Sequence, residues 1–195
     1  MSAQEGGLAS AIVTPRLALI PVGIDVLRAD LDGRGELAHA LGVAVPDDWP
    51  PDLYDADAIH WTIRALERDP RAANWLTHYF VLRATTVSPA PLLVGAGGFK
   101  GLPDDTGTVE IGYSIVTSHR RQGLATEAAR GFLDRAFAER AVWRVIAETL
   151  PDLVASIGVM EKIGMRLVGA GSERGVIRFA ITREEYEGSS NGVPE

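Results

Sequence analysis

The chain has 195 residues, of which 46% are hydrophobic and 23% charged, so one globular domain with a sizeable core is expected. Its formal net charge of −7 argues against nucleic acid as a partner, and the lack of an apolar run of about eighteen residues argues against a membrane span. Cysteine is absent and the four histidines show no metal-ligand spacing, which excludes disulfides and thiolate chemistry and predicts no metal site.

The first part of the chain predicts one strand and two short helices after a leader. Residues 1–11 lack the basic and apolar regions of a signal peptide, so they are interpreted as a loose leader, and the protein is expected to be cytoplasmic. Residues 12–20 are apolar and β-branched enough for a strand, and Pro15 indicates an irregularity near its start. Helices are predicted over residues 23–29 and 36–41, separated by the turn-forming stretch DGRG.

The middle of the chain changes from an irregular segment to a helix and then to strands. PDDWPPDLYDAD is too rich in proline and aspartate for regular structure. Asp57 is expected to cap a helix that ends at Arg68. Strands are then predicted over residues 77–85 and 92–100, joined through residues 88–89.

A third strand, TVEIGYSIV, alternates between an apolar face and a sparse face, and the sparse face carries Glu110, Gly112 and Ser114. It precedes a long helix over residues 123–140. The remaining predicted elements are a strand, a helix and two closing strands, over residues 142–149, 153–163, 165–168 and 175–181.

This order of elements predicts an α+β or mixed α/β domain over residues 12–187, with a flexible tail over 188–195. The strand, helix and strand over residues 108–149 must form a right-handed crossover between parallel strands. A loop at the carboxyl end of the third strand leads into a helix, and open α/β sheets bind phosphate groups at such places.

The stretch RRQGLAT, residues 120–126, opens the long helix without an acidic cap. Amides of a first helical turn have no partner within the helix, so they bind anions where the backbone can be approached. Gly123 and Ala125 permit that approach, and the two leading arginines add positive charge. The residues alone leave a second interpretation equally open, which is a plain helix start capped by Ser118 with solvated arginines.

The same stretch resembles the pyrophosphate-binding signature of the GNAT superfamily of N-acetyltransferases. Three more segments resemble the branch typified by the ribosomal-protein acetyltransferases RimJ and RimL: TPRLAL at 14–19, VEIGYSI at 109–115 and ASIGVMEKIGM at 155–165. The resemblance implies a strongly twisted mixed central sheet of about six to seven strands with helices on both faces. It also implies acetyl-CoA as co-substrate and a primary amine as acceptor.

The resemblance assigns acetyl-CoA binding to the end of the third strand, the loop and the late helix: Ile115, Val116, Thr117, Arg120, Arg121, Gln122, Gly123, Leu124, Ala125, Thr126, Ser156 and Lys162. A backbone N–H of Ile115 or Val116 is expected to bind the thioester oxygen. Glu110 is interpreted as the general base, because an alkyl ammonium with a pKa near about 10 must lose a proton before it attacks. The other interpretation of Glu110 is an exposed strand carboxylate or a structural ion pair.

Two residues depart from the family pattern. Met160 stands where many members carry a tyrosine acid, and Leu153 replaces a frequent asparagine. The thiolate must then leave unassisted, or Ser156 or water must supply the proton. These departures keep open an alternative function, a non-catalytic CoA-binding regulatory or interaction domain.

The acidic segment PDDWPPDLYDAD falls where the family commonly walls the acceptor cleft. The expected acceptor contacts are its acidic and aromatic residues together with the sparse strand face: Asp47, Asp48, Trp49, Asp52, Tyr54, Glu110 and Ser114. A solvated loop without substrate contacts is the other interpretation. The acceptor class stays open among protein N-termini, amino acids and small amines, and a homodimer is also left open.

Overall fold

The computed structural model describes residues 11–86 and 90–190. Its strands are β1 (Ile12–Val13), β2 (Leu17–Pro21), β3 (Thr77–Leu82), β4 (Leu92–Phe99), β5 (Thr108–Ile115), β6 (Arg144–Thr149), β7 (Arg166–Ala170) and β8 (Ile177–Thr182). Its helices are α1 (Ile24–Asp32), α2 (Arg34–Leu41), α3 (Ala56–Arg68), α4 (Leu124–Ala138), α5 (Val154–Lys162) and α6 (Arg183–Ser190). Short 3-10 turns lie at Pro70–Asn74 and Thr117–His119.

The strands form one mixed sheet in the order β1-β2-β3-β4-β5-β6-β8-β7. The predicted mixed α/β class is therefore confirmed, and the predicted parallel pair is β5 with β6, in which Thr108 lies opposite Arg144. The described residues hold eight strands instead of six to seven because the chain reverses at Pro15. Ile12 pairs with Leu19 across that reversal, so the predicted first strand is a hairpin of two strands.

The helix α3 begins two residues before the predicted start. Asp55, with an extended backbone, accepts a hydrogen bond from the amide of Ala58 at 3.0 Å, so it is the cap. The prediction that Asp57 caps the helix was wrong, because Asp57 already lies within the first turn. The predicted join through residues 88–89 lies outside the described residues, as do residues 1–10 of the predicted leader and 191–195 of the predicted tail.

The sequence prediction missed α6. Glu185 accepts hydrogen bonds from the backbone and hydroxyl of Thr182, and its own amide donates back to that hydroxyl at 3.3 Å. This reciprocal pair is a capping box, and the four letters TREE carry its sequence signal. The helix occupies part of the segment that was predicted as a flexible tail.

The chain divides into two compact units, the first made of residues 1–98 and 113–128 and the second of 99–112 and 129–195. The core of the first unit consists of large apolar side chains from its strands and helices: Leu17, Leu19, Leu27, Leu37, Tyr79, Phe80 and Leu93. The core of the second unit is built in the same way from Phe99, Ile111, Phe132, Leu133, Met160, Phe179 and Ile181. The predicted single domain over residues 12–187 stays a prediction.

The alternation of β5 follows the prediction in most positions. Val109, Ile111 and Ile115 are buried, and the sparse face is half-exposed. Tyr113, predicted on the apolar face, is half-exposed as well.

Among the described helices, none is both long and apolar enough to pass through a bilayer.

Candidate functional site

The loop between β5 and α4 has an unusual backbone. After the 3-10 turn Thr117–His119, Arg121 has a φ of 58° and Gly123 a φ of 79°, so two residues in three are left-handed. A left-handed arginine costs about 1 kcal/mol or more, which must be offset by its surroundings. Left-handed residues at such loops are typical of backbone concavities that bind anions.

The start of α4 has no capping acceptor among residues 11–86 and 90–190. The amides of Leu124, Ala125 and Thr126 meet neither a side-chain nor a backbone oxygen there. Ser118 is not the cap, because its amide and hydroxyl both donate to Asp48, at 2.7 and 3.0 Å. The interpretation of a plain helix start capped by Ser118 is therefore wrong.

Arg120 lies across the beginning of this loop. Its Nε donates to the carbonyl oxygen of Ile115 at 3.0 Å, and its guanidinium pairs with Asp52 at 2.6 Å. The side chains of Arg120 and Asp52 are both exposed, so their ion pair contributes little to stability. Another anion can therefore compete with Asp52 for the arginine. Arg121, Gln122 and Thr117 are exposed, which leaves this side of the loop open to solvent.

A third arginine reaches the loop from outside the motif. Arg16 donates through its backbone amide and its Nε to the two oxygens of Glu127, both at 2.6 Å, and through its other branch to the carbonyl of Gln122 at 2.9 Å. Thr14 donates its hydroxyl to Glu127 at 2.6 Å. Burial acts to raise the pKa of Glu127, but the donors from Thr14 and Arg16 outweigh it and hold the pKa below its ordinary value.

Arg16 and Glu127 had no role predicted from the sequence. Arg16 was part of the quoted strand motif, and Glu127 lies just after RRQGLAT, but 111 residues separate the two along the chain. The only sequence signal was a carboxylate in the first turn of a helix whose start otherwise lacks one.

The carboxylates of the acidic segment are already engaged. Asp47 pairs with Arg34 at 2.5 Å, Asp48 accepts from Ser118, and Asp52 pairs with Arg120. The amide of Ser118 is the main reason that the pKa of Asp48 lies below its ordinary value. These contacts attach the segment to α2 and to the loop before α4, whereas its predicted contacts with an acceptor stay predictions.

Trp49 and Tyr54 are buried, with 7% and 8% of their surface exposed. Trp49 donates its indole N–H to Asp30 at 2.8 Å, and the hydroxyl of Tyr54 lies 2.9 Å from that of Tyr79, which in turn donates to Asp30. Burial raises the pKa of Asp30 despite these donors. No sequence pattern pointed to Asp30 or Tyr79, because α1 and β3 bring them together from distant positions.

Glu110 lies in the second unit with a cation beside it. Its Oε1 forms an ion pair with the ammonium of Lys100, and the backbone amide of Lys100 donates to the carbonyl of Glu110 at 2.9 Å. The buried Oε1 of Glu110 has no hydrogen-bond donor within the described residues, since its ion pair with Lys100 lacks hydrogen-bond geometry. The ion-pair interpretation thus describes the resting side chain, and the role as base stays a prediction.

The predicted residues of α5 also belong to the second unit. Ser156 is half-buried in the first turn, and Lys162 is exposed at the last residue. Leu153 occupies the N-cap without a side-chain hydrogen bond, and Met160 is 1% exposed. The residue that replaces the family's usual tyrosine is therefore a core side chain.

The first unit contains most of the predicted cofactor residues, those from Ile115 to Thr126, and also Ser114 of the expected acceptor contacts. Within it, the amide of Val116 donates to the carbonyl of Val94 at 3.0 Å, which leaves Ile115 as the better candidate for the oxyanion contact.

Among the described residues, no three histidine, aspartate or glutamate side chains are grouped so as to hold a metal ion.

Residues 31–166 match the family described as acetyltransferase (GNAT) domain. The chain is 28% identical over 155 residues to the uncharacterized N-acetyltransferase YjdG of Bacillus subtilis (strain 168), a match that covers 79% of this chain and 88% of the relative. It is 27% identical over 195 residues to the FsC-acetyl coenzyme A-N(2)-transacetylase of Aspergillus fumigatus, with 89% and 76% covered.

Solved structures show the same fold. RimJ of Mycobacterium smegmatis in complex with CoA-disulfide matches with a TM-score of 0.55 at 24% identity, covering 87% of this chain and 83% of that one. RimL in complex with coenzyme A matches with a TM-score of 0.59 at 15% identity, covering 88% and 97%. Because the family match extends over more than half of the chain, this protein belongs to the GNAT acetyltransferase family and is an acetyl-CoA-dependent N-acetyltransferase.

Proposed function

We propose that the protein transfers the acetyl group of acetyl-CoA directly to a primary amine within a ternary complex. One observation carries this proposal: the helix α4 begins with uncapped amides behind a left-handed loop, and arginines rim that loop. Such a group of donors fits a pyrophosphate, which offers several charged oxygens at once. An acyl-enzyme route through a thiol would need a cysteine, and the sequence has none.

The residues proposed to hold the pyrophosphate lie next to one another in the chain. They are the amides of Gly123, Leu124, Ala125 and Thr126, with Arg120, Arg121 and Gln122 at the rim. Ser156 and Lys162 are proposed to contact the rest of the cofactor, and Ile115 to donate its backbone N–H to the thioester oxygen. When bound, acetyl-CoA supplies an activated acyl group.

Glu110 is proposed as the general base. The acceptor reaches the enzyme mainly as an ammonium ion, and a carboxylate beside it can accept the proton that must leave before attack. In the resting state, Lys100 already places a cationic nitrogen against Glu110 Oε1. An acceptor ammonium would take an equivalent position, so Lys100 must move aside or share the carboxylate.

The identity of the acceptor is a separate proposal. Protein N-termini, amino acids and small amines remain candidates, and the acidic segment around Asp48 would favour cationic ones among them. The ordinary pKa of a thiol, about 8.5, allows the leaving thiolate to depart without the acid that Met160 cannot supply. The cytoplasmic location and the homodimer also stay predictions.

The test is a thiol-release assay with acetyl-CoA and a panel of N-terminal peptides, amino acids, polyamines and aminoglycosides. Wild-type turnover on one class is expected, and Glu110→Gln should reduce kcat by about 10² to 10⁴ because the base is lost. The control is Glu139→Gln, an exposed glutamate in the same unit.

Unchanged kcat in Glu110→Gln would exclude Glu110 as base. Binding of CoA without turnover on any amine would contradict the proposed transfer and favour the non-catalytic CoA-binding alternative.

A further inference from the structure

We infer that Arg16 is a positioning residue for the pyrophosphate loop, through the pair it forms with Glu127. This inference rests on the proposed function of the loop. Arg16 lies immediately before β2 and outside the glycine motif, yet its guanidinium reaches both the first turn of α4 and the loop backbone.

The carboxylate of Glu127 fixes the orientation of Arg16. It accepts three hydrogen bonds of 2.6 Å, two from Arg16 and one from the hydroxyl of Thr14, and only 13% of its side chain is exposed. The backbone of Arg16 is further held by Arg83, whose amide donates to the Arg16 carbonyl at 2.9 Å. The bonds at the amide and the carbonyl fix the backbone of Arg16, and the bonds at Nε and Nη1 fix its side chain.

The Nη1 group of Arg16 fixes the orientation of one peptide plane in the loop, the plane between Gln122 and Gly123. Arg16 donates from Nη1 to the carbonyl oxygen of Gln122 at 2.9 Å. That carbonyl and the amide N–H of Gly123 belong to one planar trans peptide, so they point to opposite sides. With the carbonyl held toward Arg16, the N–H of Gly123 points away from Arg16.

The surroundings of Gly123 are consistent with this orientation of its N–H. A Cβ built on Gly123 would lie 3.5 Å from Nη2 of Arg16, so the guanidinium covers the side of the glycine that a side chain would occupy. Arg16 also neutralises Glu127, which would otherwise repel a phosphate at the start of α4. Both effects prepare the loop for an anion before it binds, which lowers the cost of ordering the site.

The experiment measures CoA binding by calorimetry for wild type, Arg16→Gln, Arg16→Lys and Arg83→Gln. Both Arg16 variants are expected to weaken CoA binding about tenfold, because glutamine and lysine cannot bridge Glu127 and the Gln122 carbonyl as a planar fork does. Arg83→Gln removes a neighbouring arginine that donates to the Thr14 carbonyl and does not reach the loop, so its affinity should stay within about twofold.

Kinetics separate positioning from a general loss of structure. With acetyl-CoA, the Arg16 variants should raise KM and leave kcat almost unchanged, since the pyrophosphate contacts are equally present in ground and transition state. With S-acetylpantetheine, which lacks the pyrophosphate, kcat/KM should equal that of wild type. Thermal melting of the ligand-free variants shows whether they are folded.

Each result has a defined meaning. Wild-type CoA affinity in Arg16→Gln, restored affinity in Arg16→Lys, or equal losses with both acetyl donors would overturn the role of Arg16. A wild-type protein that binds CoA but acetylates nothing would contradict the proposed catalysis alone, and the calorimetric comparison would still decide about Arg16. A wild-type protein that binds no CoA would overturn both.

Discussion

Arg120 illustrates how a residue in the candidate site is shared between two partners. Its guanidinium holds the carbonyl of Ile115 and at the same time pairs with Asp52, so the loop carries an internal anion where a phosphate is proposed to bind. A phosphate that approaches the Nη2 side of Arg120 competes with this carboxylate. Because the pair is exposed, the displacement costs little.

The first prediction concerns Asp52→Asn. Removing the competing carboxylate should tighten CoA binding, by at most about fivefold, since exposed pairs are worth about 1 kcal/mol or less. Calorimetry at low salt measures the effect, and Asp47→Asn is the matched control because Asp47 pairs with Arg34 and does not touch the loop. Weaker binding in Asp52→Asn would mean that the carboxylate supports Arg120 instead of competing for it.

A second prediction concerns how the pH changes the contribution of Glu127 to stability. The pKa of Glu127 is lowered in the folded protein, so its contribution is fully present above its ordinary pKa of about 4.3 and is lost as pH falls through the lower folded value. Glu127→Gln should therefore be less stable than wild type near pH 6, and the difference should shrink below about pH 4. Urea unfolding at several pH values measures this, with Glu139→Gln as control. Parallel stability curves for wild type and Glu127→Gln would show that the contacts of Glu127 do not depend on its charge.

Beside the loop, the backbones of β4 and β5 approach each other closely. A Cβ on Gly95 in β4 would lie 2.4 Å from the carbonyl oxygen of Ser114 in β5 and 2.9 Å from side chains of Phe80 and Ile115. A backbone oxygen cannot move aside as a side chain can. The glycine is therefore needed for packing at this position.

Gly95→Ala is accordingly expected to lower the free energy of unfolding by about 1 to 3 kcal/mol, the usual cost of overpacking. Gly35→Ala is the matched control, because Gly35 lies in α2 with nothing within 4 Å of a built Cβ. Alanine there should be neutral or stabilise by up to about 1 kcal/mol through the lower entropy of the unfolded chain. Equal effects in the two variants, measured by urea unfolding, would refute the close approach.

For the whole molecule, ligand binding and stability are linked. If CoA binds only the folded protein, a CoA concentration of about one hundred times Kd should raise the free energy of unfolding by about 2.7 kcal/mol. For a chain of this length that corresponds to roughly 5 to 10 °C in Tm. Thermal melts with increasing CoA measure the shift, and pantetheine at equal concentration should give a smaller one because it lacks the pyrophosphate. A shift that saturates at stoichiometric CoA without further rise would contradict simple linkage.

Much of the fold could be predicted because the signals are local. Alternation over β5, helical spacing in α4 and turn residues between elements each depend on neighbours within a few positions. Errors arose where two local signals competed, as at Asp55 and Asp57, either of which could cap α3. The capping box of Thr182 and Glu185 is also a local signal, since its two residues lie three positions apart.

The motif of the candidate site could be found from the amino-acid sequence alone, because RRQGLAT is contiguous and its glycine and helix start are recognised without a partner residue. The side chains that surround this motif became known from the folded protein. Arg16, Asp48 and Asp52 reach the loop from 68 to 106 residues away, through hydrogen bonds that no periodicity encodes. Short-range patterns follow from backbone geometry, whereas such distant pairs exist only once the strands and helices have packed.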